Sequence, residues 1–174
     1  MKRLVFFTMT GIFLLSAAAL LGGEVLAQQS AKTFKEQFVG TWTLVELFYT
    51  TPNGARVDSF GANPKGRLRF DGDGTYTLQI MRSDLPKFAS KNRMEGTAEE
   101  NKAVVQGTMS YYGTYSVSEP DQILAVHLDA CSFPNFDGAD QKRPFTLNGG
   151  ILTFTNKDSS VAGMSVQQTW KQIK

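Results

Sequence analysis

The chain has 174 residues, with 18 Lys and Arg against 16 Asp and Glu, one His and a formal net charge of +2. Charges of both signs are interspersed along the chain. They do not form the concentrated basic run by which proteins neutralise nucleic-acid phosphates, and no nucleic-acid partner is expected. Cys131 is the only cysteine, which excludes an internal disulfide, and the length suits one domain that buries its own core.

Residues 1–27 have the composition of a targeting segment. Lys2 and Arg3 form a basic start, residues 4–21 are almost wholly apolar, and the stretch ends in Val-Leu-Ala. This pattern predicts a secretory signal peptide cleaved after Ala27, and therefore a soluble, periplasmic or secreted product that no longer contacts the membrane. The alternative is an uncleaved membrane anchor, since the apolar run approaches the ~20 residues that cross a bilayer.

Residues 28–39 form a second part, a polar tail followed by a short helix at 34–38 that closes one end of the domain. The third part, residues 40–174, consists of segments rich in Thr, Val, Tyr, Phe, Leu and Ile, separated by clusters of Gly, Pro, Asn and Asp. This alternation is typical of antiparallel strands joined by tight turns. It predicts eight strands, at residues 41–50, 67–71, 75–82, 109–118, 122–130, 143–147, 151–155 and 165–173.

The longest connection separates the third predicted strand from the fourth. Within it, residues 97–106 are predicted to form a helix, because Thr97 and Glu100 make a capping box at its start. Eight antiparallel strands joined mostly by short turns must cover their edges, and closing the sheet on itself does this directly. The predicted fold is therefore all-β, an eight-stranded antiparallel barrel with a short N-terminal helix and one helical insertion, in preference to a sandwich.

Side chains that could carry catalysis or bind a metal are few. His127 and Cys131 lie four residues apart on the fifth predicted strand, so they share a face but stand ~13 Å apart, whereas proton transfer needs ~3 Å. Zinc and copper sites draw on several His or Cys residues, which this chain lacks. Asp71 and Asp73 match the first and third positions of a calcium loop, but Arg82 stands where a bidentate Glu is required. We expect no catalytic residue, no metal and no cofactor.

The phase of the inward-facing residues points to ligand binding. On the third predicted strand Tyr76 and Arg82 share a face with aliphatic residues, and on the sixth Arg143 shares one with Phe145. A cavity lined by rings, aliphatic side chains and one or two cations suits a ligand with an apolar body and an anionic head, such as a fatty acid, whose carboxylate an Arg binds bidentately. The same alternation turns one Glu and two further Tyr inward. The candidate ligand-binding residues are Arg82, Arg143, Tyr76, Tyr111, Tyr115 and Glu46.

The sequence also resembles a known family. Gly40-Thr41-Trp42 at the head of the first predicted strand resembles the Gly-x-Trp signature of lipocalins. The resemblance implies that Trp42 closes the barrel floor and that a basic residue of the last strand, here Lys171, packs on it. Nearly the whole chain after residue 27 is similar to small bacterial and fungal lipocalin-like domain proteins, a name that describes a calycin-type barrel rather than a reaction. The similarity is carried by residues 40–44, 63–66, 79–88, 99–102, 113–116 and 133–145.

Three alternatives to a ligand held by both Arg stay open. In the first, no ligand is needed, because Glu46 neutralises one of the two Arg or because both Arg lie at strand ends and reach water. Since some calycin-like barrels act as cofactor-free cyclases or isomerases on hydrophobic substrates, a second alternative is such an enzyme, relying on Glu46, Tyr76 and Tyr115. A third is a core filled by side chains, which eight strands allow and which would make the domain a structural or partner-binding module. We expect a monomer or a weak dimer.

Overall fold

The structure is a computed structural model that describes residues 33–174. The predicted signal peptide, residues 1–27, and the polar tail up to residue 32 lie outside the described residues. Within the described part, no helix is long and apolar enough to cross a membrane.

Nine strands in this part of the chain form one antiparallel sheet. They are β1 (Gly40–Thr50), β2 (Arg56–Val57), β3 (Lys65–Phe70), β4 (Thr75–Met81), β5 (Thr108–Ser118), β6 (Ile123–Cys131), β7 (Asp140–Asn148), β8 (Ile151–Asn156) and β9 (Ser165–Gln172). Eight of them neighbour one another in the order β1-β3-β4-β5-β6-β7-β8-β9, and β1 also pairs with β9, so the sheet closes into a barrel. The eight predicted strands and the predicted barrel are confirmed. The two-residue β2, which pairs with the end of β1, was not predicted.

Alternation of side chains gives the barrel its inside and its outside. In β4, Tyr76, Leu78 and Ile80 are buried and the residues between them are exposed. In β7 every second residue from Gln141 to Leu147 is buried. Because successive side chains of a strand point to opposite faces of the sheet, the buried set lines the interior.

Two helices were predicted and both are present. The first, α1 (Phe34–Phe38), begins at a capping box formed by Thr33 and Glu36, and the second, α2 (Ala98–Gln106), begins at the predicted capping box of Thr97 and Glu100. Two 3₁₀ turns, Arg93–Glu95 and Pro134–Phe136, were not predicted.

Helix α1 closes one end of the barrel with aromatic rings. The ring of Phe38 lies edge-on to the rings of Phe70 and Phe145, with centroids 5.1 and 5.0 Å away. Trp42 is fully buried, and its Nε1 donates a hydrogen bond of 2.8 Å to the carbonyl of Phe38. The mouth of the barrel is therefore at the opposite end, where α2 and the longer loops lie.

A bulge in β1 reverses the phase of that strand. The pairing with β9 shifts between Leu44 and Glu46, so Val45 is an extra residue without a partner. After the bulge Leu47 is buried, and Glu46 instead forms an exposed ion pair of 2.8 Å with Arg56. The prediction that Glu46 faces the interior is therefore wrong, because one inserted residue moves every later side chain to the other face.

A second bulge separates His127 from Cys131. The pairing of β5 with β6 shifts at Gly113, where a Cβ atom would lie 1.9 Å from the carbonyl oxygen of His127, so this position admits only glycine. His127 is exposed on the outer wall, and Cys131 pairs in register with the inward-facing Tyr111. The predicted common face of His127 and Cys131 is wrong.

Candidate functional site

The centre of the barrel contains a buried arginine. Arg143 on β7 is 2% exposed. Its Nη1 donates a hydrogen bond of 3.1 Å to the hydroxyl of Tyr111, and its Nη2 donates one of 2.6 Å to Oε1 of Gln141. These two partners are uncharged, so they hold the guanidinium in place without neutralising it.

No carboxylate among the described residues forms an ion pair with Arg143. Its guanidinium carbon lies 5.4 Å from the ring centroids of Tyr111 and Phe154, which stabilises the cation partially. Its Nε has no hydrogen-bond partner. Arg143 is therefore a buried positive charge that lacks a counter-ion. Burying such an unpaired charge costs several kcal/mol of folding free energy.

Further amides hold the polar cluster against the barrel wall. Nδ2 of Asn156 donates to Oε1 of Gln141 at 3.0 Å and to the carbonyl of Asp158 at 3.0 Å. Gln168 is buried on β9 and accepts a hydrogen bond of 3.2 Å from Nε1 of Trp170. The sequence reading missed Gln141 and Gln168, although each shares its inward phase with buried residues two positions away.

Tyr76 and Tyr111 lie beside this cluster and Tyr115 does not. The rings of Tyr76 and Tyr111 pack edge-on with centroids 5.9 Å apart, and the hydroxyl of Tyr76 has no hydrogen-bond partner. Burial raises the pKa of both hydroxyl groups, so both remain protonated. Tyr115 packs against Phe70 near α1, and its hydroxyl donates to the carbonyl of Asp71 at 3.0 Å.

Two spaces lead from the mouth of the barrel toward Arg143. The inner one is a cavity of about 30 Å³, lined by Arg143, Tyr111 and Gln168 among others. The outer one is a mouth pocket of about 490 Å³. The two spaces adjoin each other, because they share four lining residues: Tyr49, Phe60, Met109 and Ser160. Most of the interior is therefore filled by side chains, and the larger space lies at the mouth.

Arg82 lies at the rim of the mouth pocket and not in the interior. Strand β4 ends at Met81, and the side chain of Arg82 is 35% exposed in an ion pair of 2.8 Å with Asp84. Its backbone N–H donates to the carbonyl of Gly107, which ties together the two ends of the segment that carries α2. The prediction that Arg82 joins Arg143 inside the barrel is wrong, because the strand ends one residue too early to point it inward.

Lys171 does not pack on Trp42. It is exposed and pairs in register with Thr43, whereas Trp42 pairs with Gln172. Nε2 of Gln172 donates to the carbonyls of Gln37 and Val39 at 3.1 and 3.2 Å, so this amide secures α1 to the barrel floor. The prediction that Lys171 packs on Trp42 is therefore wrong, because Lys171 lies on the outer face of β9.

Cys131 and His127 offer little chemistry. Burial raises the pKa of the Cys131 thiol, which lies 3.7 Å from the sulfur of Met109. Nδ1 of His127 lies 2.8 Å from Oδ1 of Asp140 on the outer wall. Among residues 33–174, no group of three or more His, Cys, Asp and Glu side chains is arranged to hold a metal ion.

Comparisons with known proteins gave one family and several solved structures. A family model described as a lipocalin-like domain matches residues 39–173, and no curated protein matches the chain. The chain is similar to a lipocalin-like protein from Bacteroides uniformis, with 14% identity, 79% of this chain and 99% of that chain covered, and a TM-score of 0.41. It is also similar to an uncharacterized protein from Bacteroides eggerthii, with 16% identity, 78% and 99% covered, and a TM-score of 0.40. The fluorescent protein UnaG matches with 12% identity, 79% and 98% covered, and a TM-score of 0.37.

Proposed function

The chain belongs to the lipocalin-like domain family, and on that premise we propose that it binds a small, mainly hydrophobic molecule at the mouth of its barrel. The ligand carries an anionic head group that is directed at Arg143. The observation that supports this most strongly is a buried guanidinium that has neutral hydrogen-bond partners and no carboxylate.

The inner cavity fits the head group. A cavity of about 30 Å³ beside Arg143 has room for one or two water molecules or for a group of similar size, such as a carboxylate. Arg binds carboxylates through paired, charge-assisted hydrogen bonds. A carboxylate in this cavity supplies the counter-ion that Arg143 lacks, and this gain is unavailable to a neutral ligand.

The mouth pocket fits the body of the ligand. Its volume of about 490 Å³ lies within the range of small-molecule sites, and its lining includes Phe60, Val105, Met109, Phe133 and Val161. Arg82 at the rim is partly exposed and already paired with Asp84, so it contributes less to binding than Arg143.

The structure does not bring together the residues that an isomerase or cyclase was expected to use. Glu46 is on the outer wall, Tyr115 lies near the closed end, and Tyr76 alone borders the polar cluster. The filled-core alternative describes the closed end of the barrel near α1, where aromatic rings occupy the space. A binding experiment distinguishes a core that is filled throughout from ligand binding at the mouth.

The experiment compares Arg143→Met with Lys142→Met, its exposed neighbour on the same strand. We expect the wild type and the Lys142 variant to bind a fluorescent fatty acid equally, and the Arg143 variant to bind it about 10- to 100-fold more weakly, the usual contribution of a hydrogen bond to a charged group. The methyl ester of the probe should bind all three proteins alike.

Two results contradict the proposal in different ways. If the Arg143 variant binds the fatty acid as the wild type does, the head group is not at Arg143. If no protein binds either probe, and native mass spectrometry of the protein from its own host shows no retained molecule, the mouth pocket is not a ligand site and the domain has a structural or partner-binding role.

We further propose that the protein acts after export, in the periplasm or outside the cell. The support is the predicted signal peptide at residues 1–27. The intact mass of the protein isolated from its host should correspond to a chain that starts at Gln28. A mass that includes the first 27 residues contradicts this proposal and favours the uncleaved anchor.

A further inference from the structure

A groove of about 420 Å³ lies on the outer wall of the barrel where β1 and β3 separate. The ladder between these strands ends at the pair Thr43–Arg67. In the next residues β1 forms its bulge at Val45, while the preceding residues of β3 continue to pair with β4. The groove is therefore a gap in the wall, distinct from the mouth pocket.

The floor of the groove is apolar because Gly66 has no side chain. A Cβ atom at Gly66 would lie 2.8 Å from the Cβ of Leu44 and 3.2 Å from Cη2 of Trp170. Glycine thus allows β3 to approach Leu44, which lines the groove together with Pro64. An alanine here would force the wall apart.

Three cations surround this floor. Lys65 and Arg67 line the groove, and Lys171 pairs in register with Thr43 from the other side. Arg67 and Lys171 therefore flank Thr43, each about 4.8 Å from it in the hydrogen-bonding direction of the sheet. All three cations are exposed, and none of them forms an ion pair with a carboxylate among residues 33–174.

The carboxylates on the same wall are already neutralised. Glu46 is paired with Arg56 at 2.8 Å, and Asp71 is paired with Arg69 at 2.7 Å. The cations of the groove thus keep their full charge toward solvent. In the sequence Lys171 is far from Lys65 and Arg67, so only the closed sheet brings it beside them.

Apolar side chains are exposed beside these cations. Met81 lines the groove and is 44% exposed, and Val45, the bulge residue next to Leu44, is 56% exposed. Cations next to exposed apolar side chains are the combination that binds the interface of an anionic bilayer, where charges meet head groups and apolar groups enter the acyl boundary.

The opposite wall has an excess of carboxylates: its outer face at β6 and β7 carries Asp129 and Asp140 against one exposed cation, Lys142. Strand β6 lies four strands from β1 in either direction around the ring, and Asp129 on it and Asp140 on its neighbour β7 face solvent. Both carboxylates lie near His127, at 3.8 and 2.8 Å. This asymmetry orients the barrel with the groove toward an anionic surface. A second copy that met the groove with these two carboxylates is the alternative occupant, and sedimentation without vesicles distinguishes it from a bilayer.

We propose that the groove between β1 and β3, with Lys65, Arg67 and Lys171, docks the protein on anionic phospholipid bilayers. This goes beyond ligand binding at the mouth and does not depend on it. It also departs from the sequence-based expectation that the exported chain has no contact with a membrane.

The test measures binding of the protein, as isolated from its host, to phosphatidylglycerol-containing vesicles and to pure phosphatidylcholine vesicles. We expect binding to the anionic vesicles only, weakening as salt is added. Each cation near an anionic surface contributes a factor of about five, so K65Q/R67Q/K171Q should bind about 100-fold more weakly. The control is K87Q/K102Q/K142Q, which changes the charge equally at exposed lysines elsewhere and should bind nearly as the wild type does.

Two further variants separate charge from packing. The neutral pair V45T/M81T should weaken vesicle binding without any change of charge. If the triple variant does not fold, as judged by circular dichroism, R67Q alone should lose about fivefold while R67K retains binding.

Three outcomes overturn the proposal. In the first, the wild type binds both vesicle types equally. In the second, both triple variants lose the same affinity, which would mean that only the net charge of the protein matters. In the third outcome, sedimentation without vesicles shows self-association that K65Q/R67Q/K171Q abolishes, which makes a second copy the occupant.

Discussion

Arg143 and Tyr111 meet inside the barrel across an intervening strand. They lie on β7 and β5, with β6 between them, and Nη1 of Arg143 donates to the hydroxyl of Tyr111 at 3.1 Å. Such a bond is independent of the backbone ladders that close the barrel. It belongs to a small polar cluster that costs free energy to bury and that we connect with ligand binding.

Tyr111→Phe should lower the free energy of unfolding by about 1.5–3 kcal/mol, because it removes the hydroxyl that accepts from a buried guanidinium. Urea unfolding measures the change. Tyr112→Phe is the matched control, since Tyr112 is exposed on the same strand, and it should change stability by less than about 0.5 kcal/mol. Equal effects of the two variants would show that the hydroxyl of Tyr111 carries no special interaction.

Arg143→Met should leave the stability of the ligand-free protein unchanged or raise it, while ligand affinity falls. A buried cation without a carboxylate opposes folding, and replacing buried charge by an apolar side chain of similar volume is often neutral or stabilising by about 1–4 kcal/mol. Urea unfolding of delipidated protein measures this, with Lys142→Met as the reference. A loss of more than about 3 kcal/mol would contradict the idea that Arg143 is retained for binding rather than for stability.

The sequence predicted the strands well because inward and outward residues alternate clearly in β4 and β7. It failed at β1, where the two possible phases, Trp42-Leu44-Glu46-Phe48 and the observed Leu47-Tyr49, are both mainly apolar. The position of the bulge at Val45 depends on how β1 pairs with β9, and this pairing is set by residues far away in the chain.

The candidate site could be predicted in part. Arg143, Tyr76 and Tyr111 are placed inside by strand alternation alone. Phe60 could not be found in this way, because it lies in a loop and is buried only by tertiary packing. Arg82 followed the alternation of β4 in the sequence, but the strand ends before it and its side chain turns to Asp84.

Gln172→Ala should loosen α1 from the barrel floor. The amide of Gln172 donates to two carbonyls at the end of α1, those of Gln37 and Val39, and each such bond contributes about 0.5–1.5 kcal/mol. We expect a loss of about 1–2 kcal/mol in urea unfolding and faster hydrogen exchange in residues 34–38. Lys171→Ala, the adjacent exposed residue, should change neither. If it destabilises the protein as much, Lys171 has the floor-packing role that the family resemblance implied.

Stability should fall in alkaline solution because burial raises the pKa of several tyrosines, among them Tyr76 and Tyr111. Burial raises the pKa of both hydroxyl groups in the folded protein, so above about pH 10 the unfolded chain loses these protons while the folded barrel keeps them. The folded state then binds more protons, and the free energy of unfolding declines by up to about 1.4 kcal/mol per pH unit for each group. Below pH 10 both states are protonated and this contribution is fully present.

Tyr76→Phe removes one of the two groups, so urea unfolding as a function of pH should show a shallower decline. Thr77→Val, on the outward face of the same strand, should keep the wild-type slope. An identical slope for Tyr76→Phe and the wild type would mean that the hydroxyl of Tyr76 reaches water.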